Sequence, residues 1–330
     1  MSATAPARPT LPVLPTNRLE GILPDVERHI VEPIIDDIER LKRERDAIVL
    51  AHNYMTPDIF HGVADLSGDS LQLARMAAET DASVIVMAGV HFMAETAKIL
   101  SPDRTVLIPD LKAGCSLAES ITPDDIAELR RRHPGAPVVT YVNTSAAVKA
   151  ASDITCTSSN AVEVVRSLGT DKVIFIPDRY LGSWVASQVP DIEVVVHDGA
   201  CEVHERFTGA EVDELRALHD GVAVLAHPEC PPDVLAAADV VGSTKLMHDW
   251  VRDHQPASVA MITECSMADN VAADAPDTDF IRPCNMCPHM KRITIQNLRT
   301  SLETMTHEVV VDADTAARAR RAVEAMLAVT

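Results

Sequence analysis

The chain has 330 residues, of which 47% are hydrophobic and 24% are charged, and this composition is typical of a globular protein with two or three domains. Its formal net charge of −20 argues against a nucleic-acid partner, because phosphates require patches of Lys and Arg. No apolar run approaches the roughly 18 residues of a membrane span, and the N-terminus lacks a signal-peptide pattern, so we expect no membrane partner and no secretion.

The beginning of the chain and its cysteine content suggest where the protein works. Residues 1–28 are rich in proline, and we predict an arm that is flexible or wraps around the remainder. Seven cysteines, an odd number spread over a long chain, argue against a secreted disulfide framework. We therefore expect a cytoplasmic protein whose thiols are either buried or bound to a metal.

The rest of the chain repeats one order of elements three times. Each repeat begins with an amphipathic helix and continues with a strand that ends on polar residues, and these strands read AIVLAHNY, PVVTYVNT and VAVLAHPE. A second helix, a second strand, a short helical stretch and a third strand follow. Two of the first helices begin with capping-box signatures, Thr122 with Asp125 and Thr208 with Glu211.

This alternation of helices and strands predicts an α/β protein with parallel sheets and crossover helices. We predict three small α/β/α domains related by a pseudo-threefold axis. The predicted boundaries are 29–120, 121–206 and 207–300 for the three repeats and 301–330 for a C-terminal closing helix.

Polar residues follow the first strand of every repeat, where ligands of open parallel sheets collect. Hydroxyl residues stand where the next helix opens, and for any one of them an ordinary helix cap is the better interpretation. Three in register favour a cradle for a phosphate or carboxylate. The candidates are His52, Tyr54, Tyr141, Asn143, His227 and Glu229 at the strand ends, and Ser70, Ser158 and Thr244 at the helix starts.

Every repeat closes on a cysteine. Cys115, Cys201 and Cys287 are spaced by 86 positions (201 − 115 and 287 − 201), which indicates that the three repeats bring them to one axis. Cys284 misses this register by three positions, and we interpret it as a spare thiol that pairs with Cys287 under oxidation or simply neighbours it. The remaining thiols are expected to be structural; they are Cys156, Cys230 and Cys265.

Three thiolates from three repeats favour an iron–sulfur cluster. A [4Fe–4S] cluster with three cysteine ligands leaves one iron open, and that iron acts as a Lewis acid rather than an electron carrier. Structural zinc is the main inorganic competitor, although it prefers four ligands that are usually close in sequence.

Ten motifs occur in the order found in bacterial quinolinate synthases, and the chain resembles that family from about residue 46 to about residue 300. They read AHNY, GDS, HFMAETAKIL, IPD…AGCSLAES, YVNT, CTSSNA, CEVH, AHPEC, GST and CPHM. One departure is Met55, where the family often has Gln. The resemblance implies three pseudo-symmetric α/β domains around one [4Fe–4S] cluster with three cysteine ligands, the last of them followed by proline, as Cys287 is.

The resemblance also implies an activity. The family condenses iminoaspartate with dihydroxyacetone phosphate to quinolinate, losing phosphate and two waters, in de novo NAD biosynthesis; such an enzyme is a transferase and a dehydrating cyclase. An aspartate oxidase or dehydrogenase that produces the imine is then a candidate partner.

Roles for the site residues follow from combining the motifs with this chemistry. Glu229 is the candidate general base, since the condensation requires proton removal and return at several atoms. The resemblance assigns Tyr54 an acid–base role, and we expect His52 and His227 to hold the dicarboxylate by charge-assisted hydrogen bonds. His204 either lies beside the cluster or is an ordinary exposed histidine.

Two other functions fit parts of the pattern. An iron–sulfur hydro-lyase acting on a small carboxylic acid would use the same open iron. A zinc- or cluster-stabilised binding or sensor protein would have the ligands without the constellation of Glu, Tyr and His.

Overall fold

The computed structural model describes residues 19–329, so most of the predicted N-terminal arm, residues 1–28, lies outside the described residues. The first helix, α1 (Asp25–Arg45), begins inside the predicted arm. Its acidic first turn and basic last turn complement the helix dipole. The end of the predicted arm is therefore helical.

The first repeat folds into a parallel sheet with the strand order β2-β1-β3-β4. Both β1 and β3 are buried along their whole length, as expected for apolar strands covered by helices on both faces. The strands are β1 (Ala47–His52), β2 (Leu66–Gly68), β3 (Val84–Ala88) and β4 (Thr105–Leu107). The helices are α2 (Pro57–Phe60), α3 (Ser70–Glu79), α4 (His91–Leu100) and α5 (Ser116–Glu119).

The second repeat has the same topology, with the strand order β6-β5-β7-β8, and all of its strand pairs are parallel. The strands are β5 (Val138–Tyr141), β6 (Ile154–Cys156), β7 (Lys172–Ile176) and β8 (Glu193–Val196). The helices are α6 (Pro123–Arg132), α7 (Ala146–Ala151), α8 (Ala161–Ser167) and α9 (Arg179–Gln188). A one-turn 3₁₀ helix, His204–Arg206, closes the repeat.

The third repeat forms a sheet with the strand order β10-β9-β11-β12, again parallel throughout. The strands are β9 (Ala223–Ala226), β10 (Val240–Val241), β11 (Ser258–Ile262) and β12 (Asp279–Ile281). The helices are α10 (Gly209–Leu218), α11 (Pro232–Ala237), α12 (Thr244–His254) and α13 (Ser266–Ala272). Its closing 3₁₀ helix is Met290–Arg292.

The prediction of an α/β protein built from three small parallel sheets is confirmed. Each sheet also has a fourth strand that the sequence did not reveal, namely β2, β6 and β10. These edge strands have only two or three residues, so no apolar period marks them in the sequence. The domain boundaries remain a prediction.

The helix starts combine confirmed and corrected predictions. Thr122 with Asp125 and Thr208 with Glu211 form the predicted capping boxes. The interpretation of the three register hydroxyls as caps was wrong. Ser70 and Thr244 are the first residues inside α3 and α12, whose caps are Asp69 and Ser243, and Ser158 precedes α8 by three positions.

Two further helices complete the described part of the chain. The helix α14 (Ile295–Thr304) packs against α1, and α15 (Ala313–Ala328) packs against α7 and β6 of the second repeat. The C-terminal segment therefore covers the second repeat after crossing the first, where the Val309 N–H donates to the Val106 carbonyl at 2.8 Å. Among the described residues, no helix has the length and apolar character needed to cross a membrane.

Candidate functional site

The carboxyl ends of β1, β5 and β9 border one cavity of about 730 Å³, part of which is open solvent. We call it the central cavity. All the site residues proposed from the sequence line it: His52, Tyr54, Ser70, Cys115, Tyr141, Asn143, Ser158, Cys201, His227, Glu229, Thr244 and Cys287. Their individual roles remain proposals.

The same tight turn presents the histidines of the first and third repeats. The Tyr54 backbone N–H donates to His52 Nδ1 at 3.2 Å, and the Glu229 backbone N–H donates to His227 Nδ1 at 3.4 Å. Each imidazole is thus oriented by the residue two positions later. This leaves the Nε2 atom of each ring as the hydrogen-bond donor toward other groups.

Glu229 lies at the centre of the buried polar groups. Its Oε2 atom is 2.7 Å from His204 Nδ1, and the Tyr141 hydroxyl also hydrogen-bonds to this carboxylate. Burial by itself would raise the pKa of Glu229, but the His204 and His227 imidazoles and the Tyr141 hydroxyl lower it to about 2. Glu229 is therefore ionised at neutral pH.

A hydrogen-bonded path connects this carboxylate to Tyr54. His204 Nε2 lies 2.9 Å from Thr263 Oγ1, which lies 2.6 Å from the Tyr54 hydroxyl. Burial raises the pKa of Tyr54 well above its ordinary value, so the phenol keeps its proton at neutral pH. We refer to Tyr54, Thr263, His204 and Glu229 as the Tyr54–Glu229 network.

The two strand-end histidines are neutral in this environment. Burial lowers the pKa of His52 to about 4 and that of His227 to about 3. Their Nε2–H groups can still donate to an ionised carboxylate, so the expected hydrogen bonds to the dicarboxylate stay a prediction, with the charge on the acceptor alone.

The register hydroxyls connect neighbouring repeats at the wall of the central cavity. Thr244 Oγ1 accepts a hydrogen bond from Asn53 Nδ2 at 2.9 Å, and Ser158 Oγ lies 3.2 Å from His227 Nε2. A hydroxyl of the third repeat thus contacts the first repeat, and a hydroxyl of the second contacts the third. These contacts join the strand end of one repeat to the helix start of another.

Three free thiols reach the same cavity, one from each repeat: Cys115, Cys201 and Cys287. Burial raises the pKa of Cys115 to about 12 and also raises the pKa of Cys201 and Cys287. Thiols in such a site ionise when a cation binds them, because a coordinating thiol is deprotonated. This donor set therefore fits a thiophilic metal or a cluster.

One of these thiols belongs to a possible metal-binding group. The ligand atoms of Cys201, His204 and Glu229 all lie within 4.8 Å of one another, and His204 Nδ1 is 3.1 Å from Cys201 Sγ. The structure is thus compatible with a metal cofactor in the central cavity.

Residues 36–328 match the model of the NadA family, described as quinolinate synthetase A protein. The chain belongs to this family. It is 58% identical over 327 residues to quinolinate synthase 1 of Mesorhizobium japonicum, with 99% of each chain covered. It is 63% identical to the quinolinate synthase of Xylella fastidiosa, covering 89% of this chain and 87% of the relative. It is 60% identical to the quinolinate synthase of Agrobacterium fabrum, and the match covers 94% of this chain and 90% of the relative.

The structure revises the interpretation of Cys284. Cys284 forms a disulfide with Cys265, so the alternative in which it pairs with Cys287 is wrong, and Cys265, expected to be structural, is its partner. The physical reason is that Cys265 follows the end of β11, beside the segment that carries Cys284. Cys156 and Cys230 are buried, and neither lines the central cavity.

The structure decides two questions that the sequence left open, at His204 and Met55, and adds one residue, Thr263, that the sequence did not indicate. His204 has an exposed fraction of 2%, which rules out the exposed interpretation and places it beside Cys201. Thr263 follows β11 and was not singled out. Met55 is buried with its carbonyl accepting from Asn270 Nδ2 at 2.8 Å, so the departure from Gln is accommodated in the core.

Proposed function

We propose that this member of the quinolinate synthetase A family condenses iminoaspartate with dihydroxyacetone phosphate to quinolinate, releasing phosphate and two waters, and so acts as a transferase and dehydrating cyclase in de novo NAD biosynthesis. The observation that carries the proposal is that one cavity combines a free thiol from each repeat with the Tyr54–Glu229 network. A purely structural metal site would not require such a network beside it.

The proposed cofactor is one [4Fe–4S] cluster per chain, held by Cys115, Cys201 and Cys287. With three protein ligands one iron remains open, and when bound the cluster supplies a Lewis acid for the dehydrations. The three thiols are free and half-buried at the wall of the central cavity, which supports this assignment. Zinc remains the competing metal, with Cys201, His204 and Glu229 as candidate ligands.

Anion binding is assigned to the helix starts that border the cavity. Ser70 and Thr244 occupy the first turns of α3 and α12, where backbone N–H groups and the positive end of the helix dipole favour a phosphate or carboxylate. Neutral His52 and His227 donate further hydrogen bonds, and Tyr141 and Asn143 complete the wall.

Proton transfer is assigned to the Tyr54–Glu229 network. A carboxylate with a pKa of about 2 is a weak base by itself, so we assign Glu229 the task of orienting His204 and stabilising its protonated form. With Nδ1–H directed at Glu229, His204 Nε2 accepts a proton from Thr263 or Tyr54 and returns it. We assign to the Tyr54 hydroxyl the exchange of this proton with the substrate.

Replacing Thr244 with alanine is expected to raise the Michaelis constant of a substrate about tenfold or more, because a hydrogen bond to a charged group contributes about 1.5–3 kcal/mol. Ser70→Ala and Ser158→Ala are expected to behave in the same way. The measurement is the Michaelis constant of both substrates, together with the melting temperature of each variant.

Ser243→Ala is the matched control, because Ser243 caps α12 one position before Thr244. Loss of that cap is expected to cost about 1 kcal/mol of stability and to leave both Michaelis constants unchanged. If the variants at Ser70, Ser158 and Thr244 lose only stability, the anion cradle is rejected.

The proposed function is tested with anaerobically purified protein, supplied with dihydroxyacetone phosphate and with oxaloacetate plus ammonia as a source of iminoaspartate. Quinolinate, detected by mass spectrometry, is expected only when both substrates are present. Dehydration of a single carboxylic acid without quinolinate would favour the hydro-lyase instead. The supply of imine by an aspartate oxidase or dehydrogenase and a cytoplasmic location belong to the same proposal.

A further inference from the structure

The 86-residue register extends to two buried acidic residues that contact the loops carrying Cys201 and Cys287. Asp178 and Glu264 are 86 positions apart (264 − 178) and have exposed fractions of 0% and 1%. Each makes an isolated parallel bridge to the residue two positions before a thiol, Asp178 to Gly199 and Glu264 to Asn285. The second and third repeats therefore support their cysteine loops in the same way.

Glu264 holds the Cys287 loop through its carboxylate. Its Oε1 atom accepts a hydrogen bond from the Cys287 backbone N–H at 3.3 Å, and its Oε2 atom accepts from the Ser266 N–H at 2.9 Å. The carboxylate thereby fixes the backbone of the thiol-bearing loop against the end of β11. Asp178 makes the equivalent backbone bridge, but its Oδ1 atom accepts from the Leu181 N–H at 2.6 Å and its buried Oδ2 atom has no hydrogen-bond partner.

The third repeat adds a cation that the second lacks. Lys291 Nζ lies 2.9 Å from Glu264 Oε1 and donates to Ser266 Oγ at 2.7 Å. It also donates, at 2.9 Å, to the backbone carbonyl of Tyr54, a residue of the first repeat. The position 86 residues earlier is Glu205, which carries the opposite charge and pairs with Arg179 at the surface.

We propose that buried Glu264 and Lys291, whose side chain is 17% exposed, form a positioning pair that fixes Cys287 and Tyr54 relative to each other. Glu264 holds the loop that carries Cys287, and Lys291 holds the backbone of Tyr54, the first residue of the Tyr54–Glu229 network. The pair thus sets the geometry between the metal site and the proton-transferring hydroxyl. This inference rests on the proposed function, because it concerns the cluster ligand and the acid–base tyrosine of that reaction.

The chain offers a control in a second ion pair between a lysine and a carboxylate. Lys42 Nζ lies 2.7 Å from Asp65 Oδ1 and donates to the Val63 carbonyl at 3.0 Å, and the exposed fraction of Lys42 is 1%. This pair lies within the first repeat, and neither of its members lines the central cavity. Its loss therefore reports the cost of disrupting a buried ion pair without disturbing the site.

The experiment compares Lys291→Met with Lys42→Met in full-length protein reconstituted anaerobically with iron and sulfide. Both variants are expected to melt at a lower temperature than the parent. Lys291→Met alone is expected to lose iron to an added chelator about tenfold faster or more, and to lower kcat more than it raises KM. Lys291→Arg keeps the cation and is expected to restore most of the iron retention.

A second pair of variants covers the case in which Lys291→Met does not fold. Glu264→Gln preserves side-chain volume and is expected to release iron about tenfold faster than the parent. Its control, Asp65→Asn, is expected to release iron at the parental rate. Iron release at the parental rate from Glu264→Gln, or equally fast release from the control variants, overturns the inference. A parent protein that takes up no iron overturns the proposed function itself, so the two failures are distinct.

Discussion

Replacing Glu229 with glutamine is expected to reduce quinolinate formation by a factor of about 10²–10⁴ and to leave the iron content unchanged. Glutamine preserves the volume of the side chain but removes the negative charge that lies 2.7 Å from His204 Nδ1. Protonated His204 then loses its stabilising partner, so proton transfer through Thr263 and Tyr54 slows. The measurement is kcat for quinolinate together with iron and sulfide per chain.

Tyr54→Phe provides the comparison for this prediction. It removes the hydroxyl at the opposite end of the network, and the double variant is expected to be scarcely slower than either single variant, because residues that act as a unit are not additive. Turnover near the parental value in Glu229→Gln would assign that residue a structural role. Loss of iron in Glu229→Gln would instead identify it as a metal ligand.

Serine replacements of the register cysteines are expected to abolish the cluster. Cys115→Ser, Cys201→Ser and Cys287→Ser each remove one of three thiolate ligands, so the brown colour and the visible absorption of the reconstituted protein should disappear and quinolinate formation with them. Cys284→Ser is the matched control, since its sulfur is bonded to Cys265 and lies outside the set of free thiols. It is expected to keep the absorption.

One result would contradict the assignment of Cys287 as the ligand of the third repeat. If Cys284→Ser or Cys265→Ser abolished the visible absorption while Cys287→Ser retained it, the ligand in the third repeat would be misassigned. The disulfide removed by both control variants connects the start of α13 to the loop before Cys287, so a modest fall in melting temperature is the expected effect.

The fold could be predicted because its elements repeat. Three apolar strands per repeat, separated by amphipathic helices, recur at nearly constant spacing, and the structure places β1, β5 and β9 at the centres of equivalent sheets. Edge strands were missed because two or three residues carry no detectable period. The caps of α3 and α12 were misassigned by one position, since Asp69 and Ser243 precede Ser70 and Thr244, whereas Ser158 lies two positions before Asn160, the cap of α8.

The register also explains which site residues were found. Cys115, Cys201 and Cys287 lie at equivalent positions, so the sequence alone brought them together. His204 and Thr263 have no such signal, since the residues 86 positions away are Met290 and Pro177.

Side-chain direction and the contacts between repeats account for the remainder of the site. Lys291 reaches both Glu264 and the Tyr54 carbonyl, and this meeting of two repeats depends on loop geometry. The same holds for the disulfide between Cys265 and Cys284, because a CxxC spacing favours the wrong partner.

The central claim is that the three repeats each contribute one thiol to a single iron–sulfur site that supports quinolinate formation. It is tested most directly by metal and sulfide analysis of protein purified without oxygen. The predicted result is about four iron and four sulfide per chain. About one zinc per chain without iron or sulfide would contradict it.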